Sequence, residues 1–564
     1  MLKPKIVTCL KGYNAKTFSS DLMAGIIVGI VALPLAIAFG IASGVGPAEG
    51  LMTAIVAGLL ISLLGGSKVQ IGGPTGAFIV IVYGIIQEYG LSGLMIATVM
   101  AGILLVLMGV FRLGNVIKFV PYPVIVGFTG GIAVTIFSSQ INDLAGMGIQ
   151  DVPAPFIDKW ICYFHNLGSV SWTALAMGIL SVLIIIYTPK ISRKIPGSLM
   201  AIVIMTLAAW LLQRFAGVTS ITTISDLYEL PRGIPAPSIP EVHLAEGETF
   251  IDMVRQLFPA AFTIAMLGAI ESLLSAMVAD GVTGDRHDSN MELVGQGVAN
   301  IVAPFFGGIP ATGAIARTMT NINNGGKTPV AGIIHAVVLL LILLLLGPLV
   351  GYIPMPCLAG VLVMVAYNMS GWRSFIAISK NPKADFIVLM TTFLLTVIFD
   401  LTIAIEVGLL LSIVLFLKRT NEAVVIRSFH HEIDPADNSD VQFPAAEKLS
   451  IPDGVEVYEI DGPYFFGIAN KFDDIMKQVG SRKPAVRIIR MRKVAFIDST
   501  GIHNLEILCN ESRRSGIKVI LSGVNRHVHE TLEKAGVIDM LGRENVCSHI
   551  NIALEQARKT VNKD

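Results

Sequence analysis

Two short stretches of the sequence combine glycine, proline and threonine in nearly the same order. Residues 72–78 read GGPTGAF and residues 307–321 read GGIPATGAIARTMTN, and both interrupt strongly apolar regions. Each predicts an extended piece followed by a helix, the first from Pro74 to about Glu88 and the second from Ala311 or Thr312 to about Asn321. The first amides of a helix lack partners within it, and the helix dipole favours an anion there.

Amides, hydroxyls and one guanidinium at these helix starts are the predicted anion ligands. An arginine inside a membrane span, as Arg317 would be, is costly and usually functional, and it can bind an oxyanion through two parallel hydrogen bonds. A structural arginine is the alternative for Arg317, and simple helix capping is the alternative for the threonines. The predicted substrate-binding residues are Gly73, Pro74, Thr75, Gly76, Ala77, Ala311, Thr312, Gly313, Ala314 and Arg317.

Glu271 is the second chemically unusual residue. It lies in FTIAMLGAIESLLSAMVAD, near the middle of the apolar segment 254–280, with no basic residue beside it in the sequence. A carboxyl group at that depth must be protonated, paired or bound to a cation. Ser275 lies one turn further along the same helix face. The two residues form the predicted coupling-ion site, and a structural carboxyl that bonds to helix ends is the alternative.

The elements that must position these residues are membrane spans. Of 564 residues, 53% are hydrophobic and 15% are charged, whereas soluble proteins carry about 25% charged residues. A helix needs about 20 mainly apolar residues to cross a bilayer. Apolar runs of about that length include residues 22–43, 91–111, 198–216 and 330–346, and residues 385–417 can cross twice with a turn near Asp400. We predict an α-helical polytopic membrane protein with about 14 spans, two of them broken half-helices.

The composition changes near Lys418, which divides the chain into three parts. We predict a transmembrane anion transport domain over residues 1–420, a polar linker over 421–448 and a cytoplasmic α/β domain over 449–564. Within the last, the pattern predicts strands at 455–460, 486–491 and 519–522. Helices are predicted at 471–478, 501–514 and 526–535.

Lysine and arginine residues mark the loops expected on the cytoplasmic side. They precede the first span and follow the fourth, sixth, twelfth and last spans. By the positive-inside rule, both termini and the soluble domain are predicted to be cytoplasmic. The first broken segment then enters from the cytoplasm and the second from outside, so the two run antiparallel. Such interrupted segments in two halves of a chain are typical of a transporter site.

Other functional classes have little support in the sequence. The net charge is zero, so a nucleic-acid partner has no electrostatic basis. The five cysteines are scattered without a CxxC pair, which predicts neither a disulfide framework nor a metal site. The first apolar run is too long for a cleavable signal. No nucleophile–base pair or phosphate-binding loop stands out, so we expect no enzyme activity and no cofactor.

Four stretches resemble the sulfate permease (SulP) family of anion transporters over nearly the whole chain: GGPTGAF, LGAIESLL, TGDRHDSNMELVGQGVANIVAPFFGGIPATGAIARTMTN and GGKTPVAGIIHA. They are similar to bacterial four-carbon dicarboxylate, sulfate and bicarbonate transporters of that family, which implies a bacterial inner (plasma) membrane as the location. The resemblance implies two inverted seven-span repeats, core and gate domains with an elevator-like motion, and substrate between the third and tenth spans. A small anion, the lipid bilayer and a second copy of the chain in a homodimer are the expected partners.

The segment FIDSTGIHNLEIL, residues 496–508, resembles the Asp-Ser-[Ser/Thr]-Gly loop of the STAS domain, which anti-sigma-factor antagonists share. In the antagonists the residue before the glycine accepts phosphate, and that residue is Thr500 here. A phosphate would be favoured at a helix N-terminus, whereas Asp498 and Ser499 are explained by capping alone. These three are candidate regulatory residues, and a cytoplasmic protein is a candidate partner of this domain.

The resemblance favours secondary active transport of an inorganic or small organic anion, with sulfate as the first expectation. In the family, a carboxylate in the eighth span supports ion coupling, and sodium-coupled bicarbonate members carry Asp followed by Thr one turn later. Glu271 and Ser275 depart from that pattern, which favours H⁺ over Na⁺ as the coupling ion. The alternatives are sodium-coupled bicarbonate uptake, proton-coupled four-carbon dicarboxylate uptake, an anion channel and a membrane-tethered STAS signalling protein.

Overall fold

The computed structural model describes residues 2–115, 120–150, 152–153, 155–191, 196–216, 221–228, 233, 236–238, 249–380, 382–399, 401–433, 449–466 and 484–562. The chain forms two compact units, Met1–Ser412 and Ile413–Asp564. Among the described residues, the first is helical apart from two very short strands, and the second is built on a five-stranded sheet. The helix α19 (Leu401–Ala423) contains the boundary between them.

Eighteen helices precede α19 in the described part of the first unit. They are α1 (Lys5–Cys9), α2 (Ala15–Ala42), α3 (Pro47–Met52), α4 (Gly58–Leu64), α5 (Ile79–Val110), α6 (Tyr122–Ser139), α7 (Ile141–Ala145), α8 (Phe156–His165), α9 (Trp172–Ile191), α10 (Gly197–Ala216), α11 (Ile224–Leu227), α12 (Phe250–Thr283), α13 (Ser289–Val302), α14 (Ile315–Asn323), α15 (Val330–Val350), α16 (Met355–Met369), α17 (Trp372–Ser379) and α18 (Lys383–Ile398). A π-helical turn, Thr53–Ala57, joins α3 to α4.

Nine helical segments among the described residues are long and apolar enough to cross a membrane. The segment that forms α15 has a mean hydropathy of 3.0, yet only 33% of its most apolar stretch is buried by the protein itself. Its exposed residues Leu341, Leu345 and Leu349 recur every four positions and so share one face. A continuous apolar face of this kind is stable against lipid, as expected of an integral membrane protein. The total of about 14 spans stays a prediction.

Two predicted breaks between apolar helices are confirmed. Gly90 has a φ of 67° and interrupts α5, so residues 79–89 and 91–110 form two arms. The predicted double crossing at residues 385–417 divides between α18, which ends at Ile398, and α19, which begins at Leu401. Asp400, where the turn was predicted, lies outside the described residues.

The two broken segments meet as predicted, in antiparallel orientation. Gly72–Gly73 forms strand β1 and Thr312–Gly313 forms strand β2, and the two strands pair with each other. The predicted helix starts are wrong by a few residues, because this pairing holds the chain extended for longer. The first segment continues as a 3₁₀ turn, Gly76–Phe78, before α5, and the second begins its helix α14 only at Ile315.

The packing around this crossing depends on small residues. A Cβ atom added to Gly102 of α5 would lie 2.7 Å from the carbonyl oxygen of Gly297 in α13. A Cβ atom added to Gly297 would lie 2.6 Å from the carbonyl oxygen of Gly102. The two backbones are therefore in direct contact, which is how membrane helices pack closely without bulky side chains. This contact fixes α13, which leads into β2, against α5, which follows β1.

The second unit contains a sheet with strand order β3-β6-β7-β8-β9, in which β3 is antiparallel to β6 and the remaining pairs are parallel. The strands are β3 (Val425–Phe429), β6 (Val455–Asp461), β7 (Val486–Lys493), β8 (Lys518–Ser522) and β9 (Val546–Cys547), and β4 (Glu432–Ile433) pairs with β5 (Leu449–Ser450). The helices are α20 (Ser499–Arg514), α21 (Arg526–Lys534), α22 (Val537–Leu541) and α23 (Ile550–Val561). Two apolar clusters bury side chains of the central strands.

The predicted strands and two of the three predicted helices of this unit are confirmed within two residues at each end. The third predicted helix, residues 471–478, lies outside the described residues. The described residues of the predicted linker, 421–433, include the end of α19 and the strands β3 and β4. β3 forms by pairing with β6, a contact between segments that are distant in the sequence and that local residue types do not show. Residues 434–448 of that linker also lie outside the described residues.

Candidate functional site

Arg317 lies directly over the crossing of the two broken segments. It is 2% exposed, and its guanidinium donates hydrogen bonds to the carbonyl of Gly72, at 3.4 Å, and to the carbonyl of Pro74. Gly73 has a φ of 146°, a region that favours glycine, and a Cβ atom there would overlap Nη1 of Arg317. Gly73 is therefore required because it lets the arginine approach the backbone.

A cavity of about 870 Å³ opens beside this crossing in the first unit. Six of the predicted site residues line it: Thr75, Gly76, Glu271, Gly313, Ala314 and Arg317. The structure thus places five of the ten predicted anion ligands and the predicted coupling carboxylate in one cavity, although they come from segments about 200 residues apart. The first amides of α14 have no partner within that helix and add positive potential at the same place.

Thr75 and Glu271 are in direct contact. The Thr75 hydroxyl donates a hydrogen bond of 3.0 Å to Oε2 of Glu271. Both side chains are partly exposed, as expected for residues that line a cavity. Thr75 precedes the 3₁₀ turn but makes no side-chain capping bond to it, so the alternative of simple capping is wrong for this residue.

The other predicted ligands support the crossing from positions outside the cavity lining. The backbone of Ala311 is bonded in both directions to the Asn300 side chain, with N–H to Oδ1 and Nδ2–H to carbonyl distances of 2.8 Å. Thr312 lies within β2, and its hydroxyl donates to the Gly268 carbonyl at 2.9 Å, so it is not a helix cap either. Pro74 accepts from Arg317 as described above, and Ala77 is fully buried in the apolar core.

Ser275, the predicted partner of Glu271, is buried and is not part of the cavity lining. Its hydroxyl donates to the Thr318 hydroxyl at 3.3 Å, and Thr318 in turn accepts from the Ile71 amide at 3.1 Å. These contacts tie α12 to α14 and to the residue before β1. Glu271 is therefore bonded to Thr75, whereas the Ser275 hydroxyl, one turn further along α12, is bonded to Thr318.

The long sequence motif at residues 283–321 also positions the crossing. Asp288 caps α13 by accepting from the amides of Asn290 and Met291. Glu292, fully buried, accepts from the amides of Gly66 and Ser67 at 2.8 and 3.0 Å. The motif thus holds the loop before β1 against the helix that leads to β2.

Most of the cavity wall was absent from the predicted site. It is apolar and comes from several helices, and it includes Leu35, Phe39, Phe128, Met266, Ile270, Met364 and Met369, with Tyr367 and Asn368 of α16 as further polar groups. Such residues look like ordinary span residues in the sequence. Nothing in their types or spacing distinguishes a cavity-facing position from a lipid-facing one.

In the second unit, the candidate regulatory residues lie at the start of α20. The Asp498 carboxylate caps that helix by accepting from the Gly501 amide at 2.7 Å and also accepts from the Phe466 amide at 3.2 Å. Capping by Asp498 is therefore confirmed. Ser499 and Thr500 are exposed at the first turn of the helix, and phosphorylation of Thr500 stays a prediction.

The first unit is a helical membrane unit with an arginine where two broken segments meet, and the second is an α/β unit. This combination is that of an anion transporter with a STAS domain. The family model described as the sulfate permease family matches residues 18–392, and the STAS domain model matches residues 448–553. The chain belongs to the sulfate permease family. Its family and its relatives are transporters, so it is not an enzyme.

Two relatives extend over nearly the whole chain. A Bacillus subtilis (strain 168) protein, provisionally named the sulfate transporter YvdB, is 43% identical over 542 residues, which cover 96% of this chain and 98% of the relative. The bicarbonate transporter BicA of Synechocystis sp. is 28% identical over 561 residues, which cover 96% and 94%.

Two solved structures are similar in fold. Murine Slc26a9, an anion transporter in the inward-facing state, superposes with a TM-score of 0.85 over 99% of this chain and 94% of its own, at 19% identity. The transmembrane domain of a cyanobacterial BicA superposes with a TM-score of 0.59 over 71% and 98%, at 29% identity. The first likeness concerns the fold alone.

Proposed function

We propose that this protein is a secondary active transporter that takes up a small anion of the sulfate class together with protons. The observation that carries the proposal is the presence of Arg317 and Glu271 in one cavity at the crossing of β1 and β2. The provisional name of the Bacillus relative supports sulfate as the first substrate to test. The elevator-like motion of a core against a gate domain belongs to the same proposal.

The cation at the crossing accounts for anion binding. Arg317 uses two of its N–H donors on backbone carbonyls, and its remaining donors can bind an oxyanion in the cavity. Gly76, Gly313 and Ala314 line the same cavity. The rest of the cavity wall is mostly apolar, so Arg317 is the main group there that can attract a negative charge. These features suit sulfate, bicarbonate and a small dicarboxylate alike, and the substrate must be identified by transport.

The carboxyl group of Glu271 accounts for coupling. When it is ionised, it repels an anion in the same cavity, and when it is protonated, that repulsion disappears. Proton binding and anion binding are therefore thermodynamically linked, with each favouring the other. Glu271 is the proposed coupling residue. The role of Ser275 would be to hold Thr318 and the crossing rather than to bind the ion.

Uptake into proteoliposomes tests the proposal. Purified protein would be given labelled sulfate, bicarbonate, fumarate or succinate at two pH values, with and without sodium. We expect one anion to accumulate against its gradient when the outside is acidic, without a requirement for sodium. Rapid equilibration without accumulation would instead identify an anion channel, and failure to move any of the four would support a STAS signalling protein.

The variant Glu271→Gln separates coupling from binding. The amide mimics the protonated carboxyl, so we expect the variant to bind anion and to exchange it between compartments. It should lose accumulation driven by a pH gradient. Accumulation equal to that of the wild type, with either ion as the driving gradient, would contradict the assignment and leave Glu271 as a structural carboxyl.

Sodium-coupled bicarbonate uptake is the second candidate, and the similarity to the bicarbonate transporter BicA favours it. In that case wild-type uptake at constant pH requires sodium, and Glu271→Gln abolishes the sodium requirement along with accumulation. A proton-coupled four-carbon dicarboxylate transporter would accumulate fumarate or succinate in preference to sulfate in the same assay.

The location and assembly of the protein are further parts of the proposal: a homodimer in a bacterial inner membrane, with both termini cytoplasmic and a protein partner for the STAS domain. A chain that ends after Ala423 keeps α19 whole and removes the sheet of the second unit. We expect this variant to insert in the membrane with a lower transport rate or dimer yield. Wild-type values of both would contradict a regulatory or assembly role for the STAS domain.

A further inference from the structure

We infer that the Thr75 hydroxyl donates its single hydrogen bond either to the ionised Glu271 carboxylate or, when Glu271 is protonated, to the bound anion. The anion site thereby responds to the protonation state of Glu271. The inference rests on the proposed function, because it assumes that Glu271 takes up the coupled proton. Two observations support it: Thr75 lines the cavity, and its hydroxyl donates to the Glu271 carboxylate at 3.0 Å.

The argument follows from the number of donors. A hydroxyl group has one O–H donor and two acceptor lone pairs, and an ionised carboxylate can only accept. While Glu271 is ionised, the Thr75 proton is held in the bond to the carboxylate. When Glu271 is protonated, its own O–H can donate to Thr75, and the Thr75 proton is free to turn to an anion. One proton cannot serve both acceptors at once.

The neighbouring hydroxyl groups are engaged in other bonds. Thr312 donates to a backbone carbonyl of α12, and Ser275 donates to Thr318. Neither of these side chains lines the cavity. Among the described residues with a hydroxyl at the crossing, Thr75 is the one that both lines the cavity and donates to a carboxylate.

None of the described titratable groups on the elements packed against α12 can pass the protonation state of Glu271 to the anion in place of Thr75. Helix α12 packs against α5, α13, α14 and β2. The titratable side chains on those elements are Tyr83, Glu88 and Tyr89 of α5, Glu292 of α13 and Arg317 of α14, and only Arg317 of these lines the cavity. Arg317 donates to the carbonyls of Gly72 and Pro74 and has no proton-acceptor function, so it cannot relay the proton state of Glu271.

The variant Thr75→Val removes the hydroxyl at nearly constant shape, and Thr75→Ser retains it. Binding of sulfate and of fumarate, both dianionic over the range used, would be measured by calorimetry on the purified full-length protein at about pH 6 and about pH 8. The wild type should bind more tightly at the lower pH. Thr75→Val should lose about two- to tenfold in affinity at the lower pH, the value of one hydrogen bond, and much less at the higher pH. Thr75→Ser should restore the wild-type pH dependence.

Equal losses in Thr75→Val at both pH values would show an ordinary ligand and overturn the inference, as would no loss at either. The Glu271→Gln background separates this failure from failure of the proposed function. There the affinity should be independent of pH, and adding Thr75→Val should lower it by a constant factor. Affinity that still depends on pH in Glu271→Gln would overturn the coupling role of Glu271 itself. A wild type that binds neither anion would overturn both.

Discussion

Replacing Arg317 by alanine should remove most of the affinity for the anion. Among the described residues that line the cavity, Arg317 is the one with a positive charge that can attract an anion. A unit charge at about 4 Å contributes about 4 kcal/mol at an effective dielectric constant of about 20, which corresponds to about three orders of magnitude in affinity. The amides of the two helix starts remain, so we expect a loss of about 100- to 1000-fold.

Ligand-induced stabilisation of the purified protein measures this loss. An anion present at about 100 times its dissociation constant stabilises the wild type by about 2.7 kcal/mol. After a 100-fold loss of affinity, the same concentration stabilises by only about 0.4 kcal/mol, so the shift of the melting temperature should nearly vanish. The amount of protein in the membrane and its melting temperature without ligand report separately on folding. This control is needed because the carbonyls of Gly72 and Pro74 lose a hydrogen-bond donor in the variant.

Arg317→Lys is the matched control. It keeps the charge but loses the planar fork that reaches two acceptors at once, so its affinity should lie between those of the wild type and Arg317→Ala. Undiminished ligand-induced stabilisation in Arg317→Ala would refute the reasoning and leave Arg317 as a structural residue that holds the crossing together.

Three further predictions concern the packing and exposure of single residues. Gly73→Ala places a methyl group where the guanidinium lies, so we expect loss of anion binding measured by calorimetry, and wild-type affinity would contradict the proposed contact. Glu459→Leu removes a buried carboxylate that lies 3.4 Å from Arg490 and 3.0 Å from Lys493. Loss of these ion pairs should destabilise the second unit by about 3–5 kcal/mol. Hydrogen exchange of β6 and β7 should show that loss and its partial recovery when Arg490→Met is added. Burial, with a smaller contribution from a nearby glutamate, raises the pKa of the Cys509 thiol to about 12. A maleimide added after lysis at pH 8 should therefore label the partly exposed Cys162 of α8 and leave the buried Cys509 unlabelled. Equal labelling of the two thiols would refute that burial.

Local features of the sequence determined the broken segments and the unusual residues of the site. Glycine and proline interrupt apolar runs at residues 72–78 and 307–321, and such interruptions depend only on neighbouring residues. The same is true of the apolar runs themselves, since twenty apolar residues predict a span wherever they occur. Arg317 and Glu271 were recognisable because a charged side chain within a span is rare and costly.

Only the tertiary structure decided which of the predicted ligands reach the cavity. Pairing of β1 with β2 kept Thr312 in a strand, and Asn300 engaged the backbone of Ala311. The same packing joined Thr75 to Glu271, 196 positions away in the chain, and built the apolar wall from α2, α6, α12 and α16. These outcomes depend on contacts between distant segments, whose geometry is set by how whole helices pack. A local pattern of residue types carries no record of that packing, because one apolar side chain serves equally well against lipid, another helix or a cavity.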